Sequence, residues 1–220
     1  MAWHIKKTSV MGSSAAGDGT RAIFHGGGGS DPAHMTSTTQ CQKITTQTLG
    51  NATAVGSIST AKMMTFGGSN GTRGIYGHAG AYACGQNESI RYMTIATTGN
   101  ASDFGDLGAS TGDNAGLSST TRAVSGGGSS PGNTNVIEFT TIASVGNATD
   151  FGDLTEARRY LSGLSSSTRG VFAFGNNPSG SNVMDYITIA SAGNATDFGD
   201  LTDARYGPAP FSDSHGGLGD

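Results

Sequence analysis

The nine residues GNATDFGDL occur at 193–201 and again at 146–154, and GNASDFGDL fills 99–107. A run repeated almost letter for letter must occupy equivalent environments, so the chain is built from structural repeats. Two landmarks set the period. Thr-Arg stands at 20–21, 72–73, 121–122 and 168–169, and Gly-Asn at 50–51, 99–100, 146–147 and 193–194. Each Gly-to-Arg step is 23 residues, whereas the Arg-to-Gly steps are 29, 26, 24 and 24, so all length variation falls in one half of the unit. Residues 144–158 and 191–205 match at 13 of 15 positions, and the first copy, NATAVGSISTAK, is the most diverged.

Within a unit of about 47 residues the pattern predicts four short strands. The first is RGVFAF (169–174), followed by a Gly/Asn/Ser loop, and the second is VMDYITIA (183–190), rich in β-branched and aromatic residues. The third is TDFGDL (196–201), bulged at its glycine. The fourth lies in the stretch equivalent to RRYLSGL (158–164), before SSST turns back to the next arginine. Apolar residues fall on both faces of VMDYITIA, as expected for a sheet packed on both sides. The 37 glycines among 220 residues suit a turn-rich all-β chain, because glycine adopts the positive φ angles of tight turns. Four strands per 40–50 residues in doubly packed sheets predict a β-propeller. The expected fold is a single all-β domain, 1–220, with complete units 21–72, 73–121, 122–168 and 169–215. Partial units at 1–20 and 216–220 flank them. Counting back 23 residues from Arg21 puts Trp3 where Phe104, Phe151 and Phe198 stand. The terminal fragments either form a fifth, incomplete blade that closes the ring or are surplus ends of a four-bladed ring. Strand edges left by such fragments need a partner.

The unit resembles a kelch repeat. An apolar strand runs into a glycine cluster (AIFHGGGG, AVSGGG), then come a strand with an aromatic, an aromatic-x-x-Leu and an x-x-Arg. Phe stands where kelch units usually carry Trp, and the double glycine is broken in GIYGHAG and VFAFGNN. The wording RGVF…NVMDYITIASAGNATDFGDLTDAR is similar to repeats of bacteriophage tail and virion proteins, especially marine ones. That resemblance implies a virion structural protein made in the host bacterial cytoplasm: a tail or appendage component acting as a rigid adaptor or attachment module. Its implied partners are other virion proteins, in multiple copies per particle, and a host surface receptor or glycan. A soluble carbohydrate-binding, lectin-like propeller is the alternative.

The repeated residues read as architecture. Phe104, Phe151 and Phe198 are expected between blades, and the aspartates of DFGD at turns. A calcium site from Asp103/Asp106, Asp150/Asp153 or Asp197/Asp200 falls short of the 6–8 oxygens calcium takes unless carbonyls and waters complete the shell. Arg21, Arg73, Arg122 and Arg169 are expected to open the innermost strands. There they either ring a central channel and hold an anion bidentately, or pair between blades with the aspartates or carbonyls. The loops after the first strand differ in length and content between units. His25, His34, His78 and Tyr82 lie in them and are candidate partner contacts. Two imidazoles alone make a weak zinc site. DFGD lacks the accompanying motifs of a kinase, and no GxSxG elbow supports nucleophilic catalysis. No enzyme activity, cofactor or metal is therefore expected. The formal net charge of −4 argues against a nucleic-acid surface, and no apolar run suits a signal peptide or membrane insertion. Cys41 and Cys84 occupy non-equivalent positions and are expected as free thiols. The Asn-Ala-Thr/Ser triplets at Asn51, Asn100, Asn147 and Asn194 are assigned to turns.

Overall fold

The computed structural model describes residues 10–12, 21–25, 39–58, 66–77, 87–97, 99–129, 131–210 and 212. Among them there is no helix, and the chain folds as four antiparallel sheets, each a meander of consecutive strands. The first sheet takes β1 (Val10–Gly12), β2 (Arg21–His25), β3 (Gln40–Thr45) and β4 (Thr53–Ser57). The second takes β5 (Gly67–Ser69), β6 (Arg73–Gly77), β7 (Asn87–Thr94) and β8 (Ser102–Thr111). The third takes β9 (Ala115–Ser118), β10 (Arg122–Ser129), β11 (Asn133–Thr141) and β12 (Thr149–Asp153). The fourth takes β13 (Ser162–Ser165), β14 (Arg169–Ala173), β16 (Ser179–Thr188) and β17 (Thr196–Arg205), with the two-residue β15 (Asn176–Asn177) paired to β16. The arrangement is consistent with the blades of a β-propeller.

The sheets are out of phase with the sequence units. The strand before each arginine pairs with the arginine strand that follows it, so the fourth strand of each sequence unit is the edge strand of the next sheet. A short side-chain cap forces this hairpin. Asn70 Oδ1 accepts from the Thr72 and Arg73 amides, and Ser119 Oγ and Ser166 Oγ do the same for residues 121–122 and 168–169. The arginine strands are thus second in their sheets rather than at the inner edge. That edge is taken by β5, β9 and β13, which approach one another closely. A Cβ on Gly116 would lie 2.9 Å from Gly67 N, and one on Gly163 would lie 2.6 Å from Gly116 O. For the same reason Val10–Gly12 belongs to the first sheet, paired with β2, and not to a separate blade fragment. The rest of the proposed terminal pieces, residues 1–9 with Trp3, 13–20 and 216–220, lies outside the described residues.

The core lies between sheets. Ile23, Cys41 and Val55 of the first sheet meet Tyr76, Met93 and Ile95 of the second. Phe104 and Leu107 of the second meet Ala123 and Ile142 of the third. Phe151 and Leu154 of the third meet Phe172, Ile187 and Ile189 of the fourth. Among the described residues no cluster joins the fourth sheet to the first. The consequence overturns one expectation: Phe104 and Phe151 are buried at 3% and 2% exposure, but Phe198 is 48% exposed. Its sequence is right for a core residue, and among the described residues no following sheet covers it.

Truncating a buried phenylalanine costs about 3–5 kcal/mol. Phe151→Ala should therefore lower the chemical-denaturation midpoint sharply, and Phe198→Ala only slightly. Equal losses for the two variants would place Phe198 in a core.

Candidate functional site

The geometry that recurs throughout the molecule is a contact between successive sheets, and it is built on a bulge. In all four sheets the register slips by one residue at the same place, so Val55, Phe104, Phe151 and Phe198 face no partner across the ladder. The next residue is always glycine with positive φ: 155° at Gly56, 146° at Gly105, 140° at Gly152 and 117° at Gly199. The bulge leaves the carbonyl before it and the amide after it without ladder partners.

The Gly-Asn-Ala turn of the following unit supplies those partners. Gly193 N donates to Phe151 O at 2.6 Å, Ala195 N to Asp153 O at 2.8 Å, and Asp153 N to Asn194 Oδ1 at 3.0 Å. The same three bonds join Gly146, Ala148 and Asn147 to Phe104 and Asp106. They also join Gly99, Ala101 and Asn100 to Val55 and Ser57. The approach is so close that a Cβ at Gly56, Gly105 or Gly152 would fall 1.8, 2.3 or 2.5 Å from the incoming glycine carbonyl. Glycine is required there twice over, by φ and by space.

The arginines form the second part of the contact. Arg73 Nη1 donates to Ile142 O at 2.8 Å and Arg122 Nη1 to Ile189 O at 2.7 Å, each reaching the next unit, while Arg21 Nη1 reaches Ala96 O at 3.3 Å. Arg73 and Arg122 also lie over the rings of Tyr92 and Phe139, at 4.4 and 4.2 Å. Those rings meet Phe104 and Phe151 edge to face at 6.0 and 5.9 Å. Arg169 lies over Tyr186 at 4.8 Å, but its guanidinium reaches no carbonyl among the described residues. The aspartates act locally. Asp150 and Asp197 accept from the Gly152 and Gly199 amides, and Asp103 pairs with Arg91 at 3.3 Å. Among the described residues no group of three or more His, Cys, Asp and Glu could hold a metal ion.

One cluster escapes sequence reasoning. Arg158, fully buried, places Nη2 2.8 Å from Oδ2 of the equally buried Asp185, and Thr155 Oγ1 donates to Asp185 Oδ1 at 2.5 Å. The contact is an ion pair rather than an aligned hydrogen bond, and Arg158 Nε has no hydrogen-bond partner. Glu156 lies 3.4 Å from Arg158 and accepts from Ser181 Oγ. The repeat marks the arginine, since the equivalent position 205 is also Arg, but not its partner: Arg205 pairs with Asp203 at the surface, and Thr stands at 111.

Glu138 occupies the position equivalent to Asp185 and accepts from Gly108 N at 2.7 Å. Burial raises its carboxyl above the ordinary value of 4.5; the Gly108 hydrogen bond opposes the rise and the Asp150 charge adds to it. Burial likewise pushes the Cys41 thiol up to about 11, against the lowering effect of its hydrogen bond with the Ile58 backbone, so Cys41 is an unreactive core thiol. Among the predicted loop residues His25 ends β2, while His34, His78 and Tyr82 lie outside the described residues, as does Cys84. No helix among the described residues is long and apolar enough to cross a membrane. No protein-family model matches the chain, and no curated protein matches it.

Gly152→Ala should destabilise far more than Gly199→Ala, because both carry backbone strain of about 1–3 kcal/mol but only Gly152 faces an incoming backbone. Similar losses in the two variants would show that strain alone matters.

For Glu138 the folded state keeps a proton that the unfolded chain has already lost, so its contribution to stability is present at low pH and fades as pH rises above 4.5. Glu138→Gln keeps the acceptor for Gly108 and removes the charge. Its stability relative to the natural chain should rise between pH 4 and pH 7 in denaturant titrations; a flat difference would refute the assignment.

Proposed function

We propose that the protein is a β-propeller structural module of a bacteriophage virion, serving as a rigid adaptor or attachment component of the tail or another appendage. The observation that carries this reading is the use of the repeat: its Gly-Asn-Ala turn, bulge glycine, aromatic and arginine all make contacts between sheets. What differs between units is the loop after each arginine strand, and variable loops on a fixed scaffold suit recognition of partners. The kelch-like and phage-like wording of the repeat supports the virion setting. In this reading the four sheets are blades. The contacts along the inner edge continue past the fourth. Ser212 Oγ donates to Ser165 O at 3.0 Å just as Ser165 Oγ donates to Ser118 O at 2.8 Å, and Gly207 N donates to Tyr160 O as Tyr160 N does to Asp113 O. In this reading residues 206–210 and 212 stand for a fifth inner strand, 47 residues on from β13.

Mass spectrometry of gradient-purified particles from an infected host should find this chain at a fixed, multiple stoichiometry. Its presence only in the soluble lysate, with particles free of it, would refute the virion role. Binding to a panel of immobilised glycans would then favour the lectin reading.

A further inference from the structure

The contact between sheets has two complementary halves, and one of each is left over. The socket half, made of the bulge carbonyl, the bulge glycine and the following amide, is filled at Val55–Ser57, Phe104–Asp106 and Phe151–Asp153. It is open at 198–200 among the described residues: a Cβ on Gly199 would meet nothing within 4 Å, no turn amide donates to Phe198 O, and Phe198 is half exposed. The plug half is the Gly-Asn-Ala turn. Gly99, Gly146 and Gly193 head the three plugs in use, and the fourth, residues 50–53, is exposed, with Asn51 making no hydrogen bond among the described residues. Its Asn-Ala-Thr is identical to residues 147–149 and 194–196, which precede the DFGD bulges.

The two leftover faces match beyond the plug. In the filled contacts the incoming sheet presents Tyr76, Met93 and Ile95, or Phe172, Ile187 and Ile189. The corresponding residues of the first sheet are Phe24, Ile44 and Thr46, and Phe24 and Ile44 are only half-buried. On the receiving side Arg169 and the Tyr186–Phe198 pair, 5.9 Å apart, stand ready without the carbonyl that Arg73 and Arg122 find in the next unit.

We propose that a second copy of the chain seats residues 50–53 and the Phe24–Ile44 face of its first sheet on the open socket at 198–200, so that copies join head to tail. This rests on the blade reading of the four sheets and not on the virion role. Among the described residues no core cluster joins the fourth sheet to the first, and the segment of Gly207 and Ser212 bonds to Tyr160 O and Ser165 O beside β13. That segment holds the place of the β1 strand of the incoming copy, so docking exchanges one edge segment for another. The contact is heterologous, and repeating it closes a ring of chains or extends a filament.

Sedimentation velocity on the purified full chain over a range of concentrations tests this. Self-association is expected. Asn51→Ala should weaken it about tenfold, as for loss of a hydrogen bond at a dry contact, and Phe198→Asp should abolish it. Both positions are exposed or half-exposed in the single chain, so melting of the dissociated variants should match the natural protein. A second arm uses a Cys84→Ser background. Asn51→Cys and Asp200→Cys in separate chains should form a disulfide-linked pair when mixed, whereas each alone should not. The proposal fails if the chain stays monomeric at every concentration, or if association survives both Asn51→Ala and Phe198→Asp. It also fails if a single chain carrying both Asn51→Cys and Asp200→Cys forms only an internal disulfide, which would mean the fourth sheet closes on its own first sheet. Particle mass spectrometry bears on the virion role alone, so either reading can fall without the other.

Discussion

Everything else in the fold depends on a backbone-to-backbone contact at a bulge glycine. An extra residue in one strand of each sheet tips Val55, Phe104, Phe151 or Phe198 out of the ladder and turns a carbonyl and an amide toward the neighbour. Three hydrogen bonds from the next Gly-Asn-Ala turn satisfy these groups. Each such bond is worth only about 1 kcal/mol net, but a buried donor or acceptor left without one costs about 1–3 kcal/mol. The contact therefore acts less as glue than as a gauge: only one placement of the neighbouring sheet leaves no backbone group unpaired.

Side chains follow the gauge and vary around it. Phe104 and Phe151 fill the space that the close approach creates, and Arg73 and Arg122 cross the same seam to a carbonyl. The first unit shows which part is dispensable. It has Val55 in place of the phenylalanine and Lys43 in place of the stacked aromatic, yet its two backbone bonds to Gly99 and Ala101 and the Ser57 N bond to Asn100 Oδ1 are intact. The Arg158–Asp185 pair is a local addition at the last seam. Replacing such a buried pair by apolar residues is often neutral, while removing one partner alone costs about 3–5 kcal/mol, so the pair binds these two sheets to one register.

A stack whose sheets contact only their neighbours is quasi-one-dimensional, with stability close to a sum of sheet and seam contributions. Such a stack has ends, and the ends are where its chemistry remains unsatisfied. The exposed Phe198, the uncovered Gly199 and the unpartnered Asn51 turn of the first unit are the same groups that are buried or bonded at every internal seam. At the internal seams the contacts are made by the repeated Gly-Asn-Ala turn, bulge glycine and arginine, while the repeated aspartates act within their own sheets.

Much of this was readable from the letters. The 23-residue spacing, the Gly-Asn turn, the bulged TDFGDL strand and the doubly packed VMDYITIA strand each follow from local rules of turn and strand chemistry, which act over a few residues. The exposure of Phe198 was not readable, since it shares its local sequence with Phe151 and differs only in having no sheet beyond it. Nor was the phase of the sheets, because a hairpin cap such as Ser119 or Ser166 decides which strand pairs with which arginine strand. The pairing of Arg158 with Asp185, 27 residues away, was not readable either, because the equivalent Arg205 pairs with its near neighbour Asp203 instead. The sequence alone thus determined the period, the strands and the residues able to make a seam. Only the tertiary structure decided which seams are made, since a seam is a contact between units that local chemistry makes possible and a neighbouring sheet must complete.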